Sequence, residues 1–170
     1  IQQKMMNITL RRNRLPGSKS VYSLSIFRNN VPVKIEVNPV IRGTVNGVQK
    51  RVLCEAAVTR FRKSVEMNLL SPADLYGGKI CAALDRQHPR DLFDVKLLLE
   101  YEGLTDEIRR AFIVYLISHN RPMHELLRPN PADISAVYDQ EFSGMTRRHV
   151  SLTELEETRR KLIRLINSGL

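Results

Sequence analysis

A lysine at position 79 and aspartates at 91 and 94 are the residues most able to do chemistry in this chain. They lie in a stretch whose punctuation predicts two helices joined by a short turn. Ser71 is a good N-cap, Pro72 fits the first helical position and Asp74 suits the positive helix start. Pro89 disfavours helix at His88 and marks the break; a second helix runs from about 90 to 102 and stops at Gly103. At 100° per residue, Lys96 and Glu100 share one side of that helix, while Asp91 and Asp94 fall among Val95, Leu98 and Tyr101. On the first helix Asp74, Gly78 and Asp85 form the polar side. Lys79 falls between Leu75 and Ala83 on the apolar side, with Arg86 further along. Charges turned inward are costly unless paired or bound to a ligand. The pattern fits a structural ion pair pinning two helices as well as it fits a catalytic site, and spacing alone does not separate them.

Glu36 is the second candidate. It sits mid-strand between Ile35 and Val37. Taken alone, it reads as an exposed strand residue paired with Lys34 or a cross-strand partner.

The segments Leu75-Tyr76-Gly77-Gly78-Lys79 and Pro89-Arg90-Asp91-Leu92-Phe93-Asp94 resemble the C-terminal motif pair of the AbiEii/AbiGii toxin family. Residues 34–39 carry a weaker echo, and the resemblance runs from about Val33 onward. It implies a nucleotidyltransferase-like fold and a toxin of a bacterial toxin–antitoxin or phage-defence pair. Such a toxin transfers nucleotide from a nucleoside triphosphate to RNA or protein. By that resemblance Lys79 contacts the nucleotide phosphates, and Asp94 holds Lys79 or a substrate hydroxyl. Glu36 is then the third acidic position and a magnesium ligand. Arg86, Arg90 and Asp91 are nucleotide-binding candidates, since guanidinium groups match phosphate geometry. Mg²⁺ is the implied cofactor of the full-length protein, because a hard cation prefers oxygen ligands and bridges substrate phosphates. The implied partners are a nucleoside triphosphate, tRNA or another RNA, and a cognate antitoxin.

One departure stands out. The family's first motif is a glycine turn followed by an Asp-x-Asp strand, and no such pair occurs between Ile1 and Glu36. The chain also opens at Ile1 without an initiator Met, which reads as a piece of a longer protein. The expectation is therefore that these residues alone transfer no nucleotide. The alternative is a catalytically inert basic module that binds nucleic acid or protein.

Composition sets the outer limits. The 170 residues are 42% hydrophobic and 26% charged, enough for a real core and unlike a disordered or fibrous chain. Lys and Arg number 27 against 18 acids, a formal +9 that favours polyanionic partners. Cys54 and Cys81 match no metal spacing and make no disulfide framework, which points to a reduced, cytoplasmic setting. No apolar run reaches membrane-span length and no secretory signal is seen.

These motifs must be carried by α+β architecture, with antiparallel hairpins of a partial nucleotidyltransferase sheet over 1–70 and a helical bundle over 71–170. Residues 1–14 read as either helix or strand. Residues 22–37 alternate as a hairpin about Asn29-Asn30, with Ile26 facing Val33, Leu24 facing Ile35 and Tyr22 facing Val37. Asn46-Gly47 predicts a second hairpin between 40–45 and 48–53, and a further strand is expected near 65–70. Helices are expected over 105–118, 123–127 and 131–142, the last capped by Asn130. Another, over 151–167, opens on a Ser151/Glu154 capping box. Its Arg159, Arg160, Lys161 and Arg164 read as a solvated or RNA-binding face. Gly77-Gly78 lies inside a helical pattern and reads as a close helix contact rather than a phosphate loop. His88 reads as a turn residue, and the four histidines show no metal spacing.

Overall fold

The structure is a computed structural model that describes residues 8–14, 21–29, 31–36 and 43–168. The chain divides into two compact units, 1–43 and 44–170.

In the first unit, β1 (Ile8–Arg14), β2 (Val21–Arg28) and β3 (Val31–Glu36) form an antiparallel sheet in that order. Of the undecided N-terminal segment, residues 8–14 are strand and the rest lies outside the described residues. The predicted register holds: Ile26 pairs with Val33 and Leu24 with Ile35. Val37, expected to face Tyr22, lies outside the described residues. Asn29 takes a φ of 49°, the left-handed conformation a tight turn needs. Leu10, Val33 and Ile35 share one exposed face with Leu24 and Ile26. The other face carries Ser23, Ser25, Lys34 and Glu36, with Asn13 donating to the buried Ser23 hydroxyl at 2.9 Å and Arg11 lying 5.1 Å from the Phe27 ring. Pro32, which has no N–H to give a neighbour, sits on the edge strand β3.

The second unit opens with a two-stranded ribbon, β4 (Val48–Val52) against β5 (Glu66–Leu70), whose connection carries α1 (Glu55–Phe61). The hairpin expected about Asn46-Gly47 is not formed in that way. Residues 40–42 lie outside the described residues, 43–47 are not strand, and β4 takes β5 as its partner. The physical reason is Asp74: its carboxylate accepts the N–H groups of Val45 at 2.7 Å and Asn46 at 3.0 Å, holding this turn against a helix start. Helix α1 lies outside every predicted element; it spans only seven residues, with Ala57, Val58 and Phe61 alone at helical spacing, and none of its residues is buried.

Six further helices follow: α2 (Pro72–Arg86), α3 (Pro89–Tyr101), α4 (Asp106–Ile117), α5 (Met123–Leu127), α6 (Ser135–Glu141) and α7 (Leu152–Ser168). Helix α2 packs on α3 and α4, and α3 on α7. Ile80, Leu84, Leu92, Val95, Phe112, Leu155, Leu162 and Ile166 form the fully buried centre. Gly77 is where α2 meets α4: a Cβ there would lie 2.8 Å from the Phe112 nitrogen, whereas one at Gly78 meets open space. The close-contact reading therefore applies to Gly77 alone.

Capping follows the sequence. Ser71 Oγ accepts from the Asp74 N–H, Thr105 Oγ1 from that of Ile108, and Ser151 and Glu154 exchange a capping box. Helix α6 starts later than expected. Its predicted first turn, 131–134, is held out of helix by two side chains. Gln87 donates to the Asn130 carbonyl and accepts from the Ala132 N–H, and Arg159 donates to the Ala132 carbonyl. Those backbone groups are thereby withdrawn from a helical ladder.

Candidate functional site

The turn between α2 and α3 builds the site. Gln87 adopts the left-handed conformation (φ 50°), His88 is extended, and Pro89 opens α3. The chain folds back into a helical hairpin, so residues at equal distances from the turn meet. Lys79 is eight residues before Gln87 and Asp94 seven after it, and Lys79 Nζ donates to Asp94 Oδ2 at 2.7 Å. Nearer the turn, Arg86 donates to Asp91 Oδ1 at 2.8 Å. The lysine and aspartate spacing singled out in the sequence is thus the spacing of facing positions on one hairpin.

The depth of these groups differs from expectation. Asp91 is buried beside Leu92 and Val95, as predicted. The Lys79 and Asp94 side chains retain 39% and 35% of their exposure, so this pair is half-buried at a rim. Tyr101, expected on the same apolar face, is 79% exposed. Asp74, expected on the polar side of α2, is buried. Its carboxylate accepts from the Tyr115 hydroxyl at 2.7 Å and the Ser71 hydroxyl at 2.7 Å, in addition to the two backbone N–H groups. Burial alone would raise its pKa, but these four donors outweigh burial and hold the carboxyl well below the usual range. The same burial and contact with Asp74 push the Tyr115 hydroxyl up to about 12. Asp74 is a structural anchor for the 45–46 turn.

Lys79, Arg86, Arg90, Asp91 and Asp94 all line one cleft of about 490 Å³, together with His88, Phe93, Phe142, Met145 and Thr146. That volume lies within the common range for small-molecule sites, about 300–1,000 Å³. The lining combines the cations Lys79, Arg86 and Arg90 with the rings of Phe93 and Phe142. Each cation is held by a carboxylate yet keeps donors to spare: Lys79 uses one of three on Asp94, and Arg86 one of its five on Asp91. Arg90 reaches Glu141 at 3.0 Å, and His88 Nε2 lies 3.3 Å from the same oxygen. His88 is a turn residue, as read: its Nδ1 accepts the Arg90 N–H and caps α3. Sequence reasoning missed Glu141, Phe142, Met145 and Thr146. They come from the end of α6 and the residues just after it, more than sixty positions beyond Lys79, and no spacing rule connects them to it.

Glu36 belongs to the first unit. It is exposed and its carboxylate lies 2.6 Å from Lys34 Nζ on the same strand, the plainer of the two readings given for it. Among the described residues no group of three or more His, Cys, Asp or Glu side chains could hold a metal ion. The Mg²⁺ ligand that the resemblance implies in this chain is Glu36 alone, and Mg²⁺ is commonly held by one or two carboxylates together with substrate phosphates. Cys54 and Cys81 are free thiols, and burial together with Asp85 pushes Cys81 up to about 12. No helix among the described residues is long and apolar enough to cross a membrane.

The family model for the nucleotidyl transferase AbiEii toxin of type IV toxin–antitoxin systems matches residues 7–164. The chain belongs to the AbiEii family. The match reaches further toward the N-terminus than the resemblance read from the motifs, taking in β1 and β2. Comparisons with curated proteins and with solved structures find no match. The AbiEii family is one of nucleotidyltransferase toxins, and membership implies a nucleotide substrate and an antitoxin partner.

Proposed function

We propose that the cleft between α2 and α3 receives the phosphates of a nucleoside triphosphate, for transfer of its nucleotide to an RNA or protein acceptor. The supporting observation is the Lys79–Asp94 pair, 2.7 Å apart on the cleft rim within the segment most like the family motif. Asp94 holds the ammonium aimed, and the remaining donors of Lys79 and Arg86 turn to phosphate oxygens. Charge developing on the leaving phosphates is then met by groups already fixed in place. Phosphoryl-transfer enzymes of this kind use Mg²⁺, and we propose it for the whole toxin. The same proposal places the toxin in the cytoplasm beside a cognate antitoxin, within a phage-defence system.

The 170 residues contain no Asp-x-Asp pair, and this favours a second reading for the chain by itself: a basic binding module without transferase activity. Incubation of the chain with labelled nucleoside triphosphates, Mg²⁺ and bulk tRNA should give no labelled product; incorporation of label overturns that reading. In the gene that encodes the chain, Lys79→Ala and Asp94→Ala should each abolish growth inhibition. If both variants remain toxic, the roles assigned to them fail.

A further inference from the structure

Three depressions adjoin one another along α3. The Lys79 cleft shares Phe93, Met145 and Thr146 with a smaller one of about 310 Å³. That one shares Lys96, Glu100 and Glu154 with a third of about 500 Å³, between α3 and α7.

The charges along this path are unbalanced. Lys96 is engaged by Glu100 and Glu154, and Glu154 also caps α7 through Ser151. Of the glutamates lining the path, that leaves Glu157 uncommitted. Against it stand Arg147, Arg160, Lys161 and Arg164, all exposed and without an ion pair among the described residues. Arg148 adds a through-space attraction to Glu154. The neighbouring Arg159 shows what a structural arginine looks like here. It is buried and donates to the Gln87 side chain and the Ala132 carbonyl, both at 2.8 Å. The cations on the path have no such duty.

Aromatic surface lies among these cations. Phe93 stands where the first two depressions meet, and the exposed Tyr101 lines the middle one. Cations alternating with rings suit a flexible polyanion whose phosphates meet the charges while its bases stack on the rings. A duplex keeps its bases inside and gains nothing from Tyr101.

We propose that this path holds single-stranded RNA, running from α7 along α3 so that the end of the strand reaches the Lys79 cleft. The direction of the strand rests on the reading of that cleft as the transfer site; the binding surface does not.

The test is fluorescence anisotropy of the chain with a short unstructured RNA across a salt series. The triple variant Arg160→Ala, Lys161→Ala, Arg164→Ala should weaken binding at least tenfold. It should also lower the salt slope by about 2, since each phosphate contact on a single strand contributes about 0.7. Tyr101→Ala should weaken binding by about tenfold and leave the salt slope unchanged. Unchanged affinity in both variants overturns the proposal, as does equal binding of duplex RNA or polyglutamate. Nucleoside triphosphate binding, measured in parallel, keeps the two readings apart. If Lys79→Ala leaves triphosphate affinity intact while the triple variant loses RNA, the transfer reading fails and the RNA surface stands.

Discussion

Removing one partner of the Lys79–Asp94 pair should harm function far more than folding. The contact is 2.7 Å long, yet both side chains keep more than a third of their exposure. An ion pair in such a position contributes about 0.2–1 kcal/mol, whereas breaking a buried pair costs about 3–5 kcal/mol. The exposure places this pair near the first figure. Lys79→Ala and Asp94→Ala should therefore each cost about 1 kcal/mol or less, which for a chain of this size lowers the melting temperature by about 2–4 °C.

The functional cost follows from different physics. Loss of Lys79 removes a charge that would face phosphate, and loss of Asp94 frees the ammonium to take other positions. Each should reduce nucleoside triphosphate affinity at least tenfold, about 1.4 kcal/mol of binding free energy. Urea unfolding gives the first quantity and equilibrium titration with a fluorescent nucleotide the second. A double-mutant cycle on stability should return a coupling below about 1 kcal/mol. If either variant loses about 3 kcal/mol of stability while triphosphate affinity is unchanged, the pair is a brace between two helices and the argument from exposure is wrong.

Adjacent glycines should respond in opposite directions. Gly77→Ala forces a Cβ onto the α4 backbone and should cost about 1–3 kcal/mol, while Gly78→Ala meets open space and should gain up to about 1 kcal/mol, both read by urea unfolding. Asp74→Ala strands the half-buried Tyr115 hydroxyl and the donors at 45 and 46, and should cost about 3 kcal/mol. Because the folded pKa of Asp74 is depressed, its contribution is fully present above the ordinary aspartate value and is lost as pH falls below about 4. Asp74→Asn should flatten the acid limb of a stability–pH curve, and an unaltered limb would remove Asp74 as its source. Arg159→Met removes two hydrogen bonds, to the Gln87 side chain and to the Ala132 carbonyl, and should cost about 1–3 kcal/mol, against about 0.5 kcal/mol for Lys161→Ala, with thermal denaturation as the measure.

What the sequence disclosed was local. Caps at Ser71, Thr105 and Ser151, the break at Pro89 and the strand alternation of β2 and β3 each depend on residues within one or two turns of each other. Every one appears where expected. The failures were contacts across long stretches of chain. Asn46-Gly47 has strong hairpin chemistry, but a carboxylate twenty-eight residues on claims the Asn46 N–H. Residues 131–134 have helical character, but Gln87 and Arg159 take their backbone groups. Helical phase put Asp74 on a polar face; its burial comes from Tyr115 and the 45–46 turn, which no phase angle predicts. The apolar wall of the cleft was invisible for the same reason, whereas Lys79 and Asp94 were legible because one hairpin holds both.

The Gln87 side chain ties the α2–α3 turn to the Asn130 carbonyl, the Ala132 N–H and Arg159 of α7. Asp74 ties the start of α2 to α4. Both ends of α2 are thus fixed by buried, fully engaged polar groups, and Gly77 seats its middle against Phe112. Lys79 projects from the segment so fixed, and its half-exposed position leaves it free to exchange water for phosphate. Rigidity sits in Asp74, Gln87 and Arg159, none of which lines the cleft itself, and reactivity sits in residues whose loss the fold tolerates. A site built this way gains affinity from preorganisation, because Lys79 is already ordered before ligand arrives and little side-chain entropy remains to be lost.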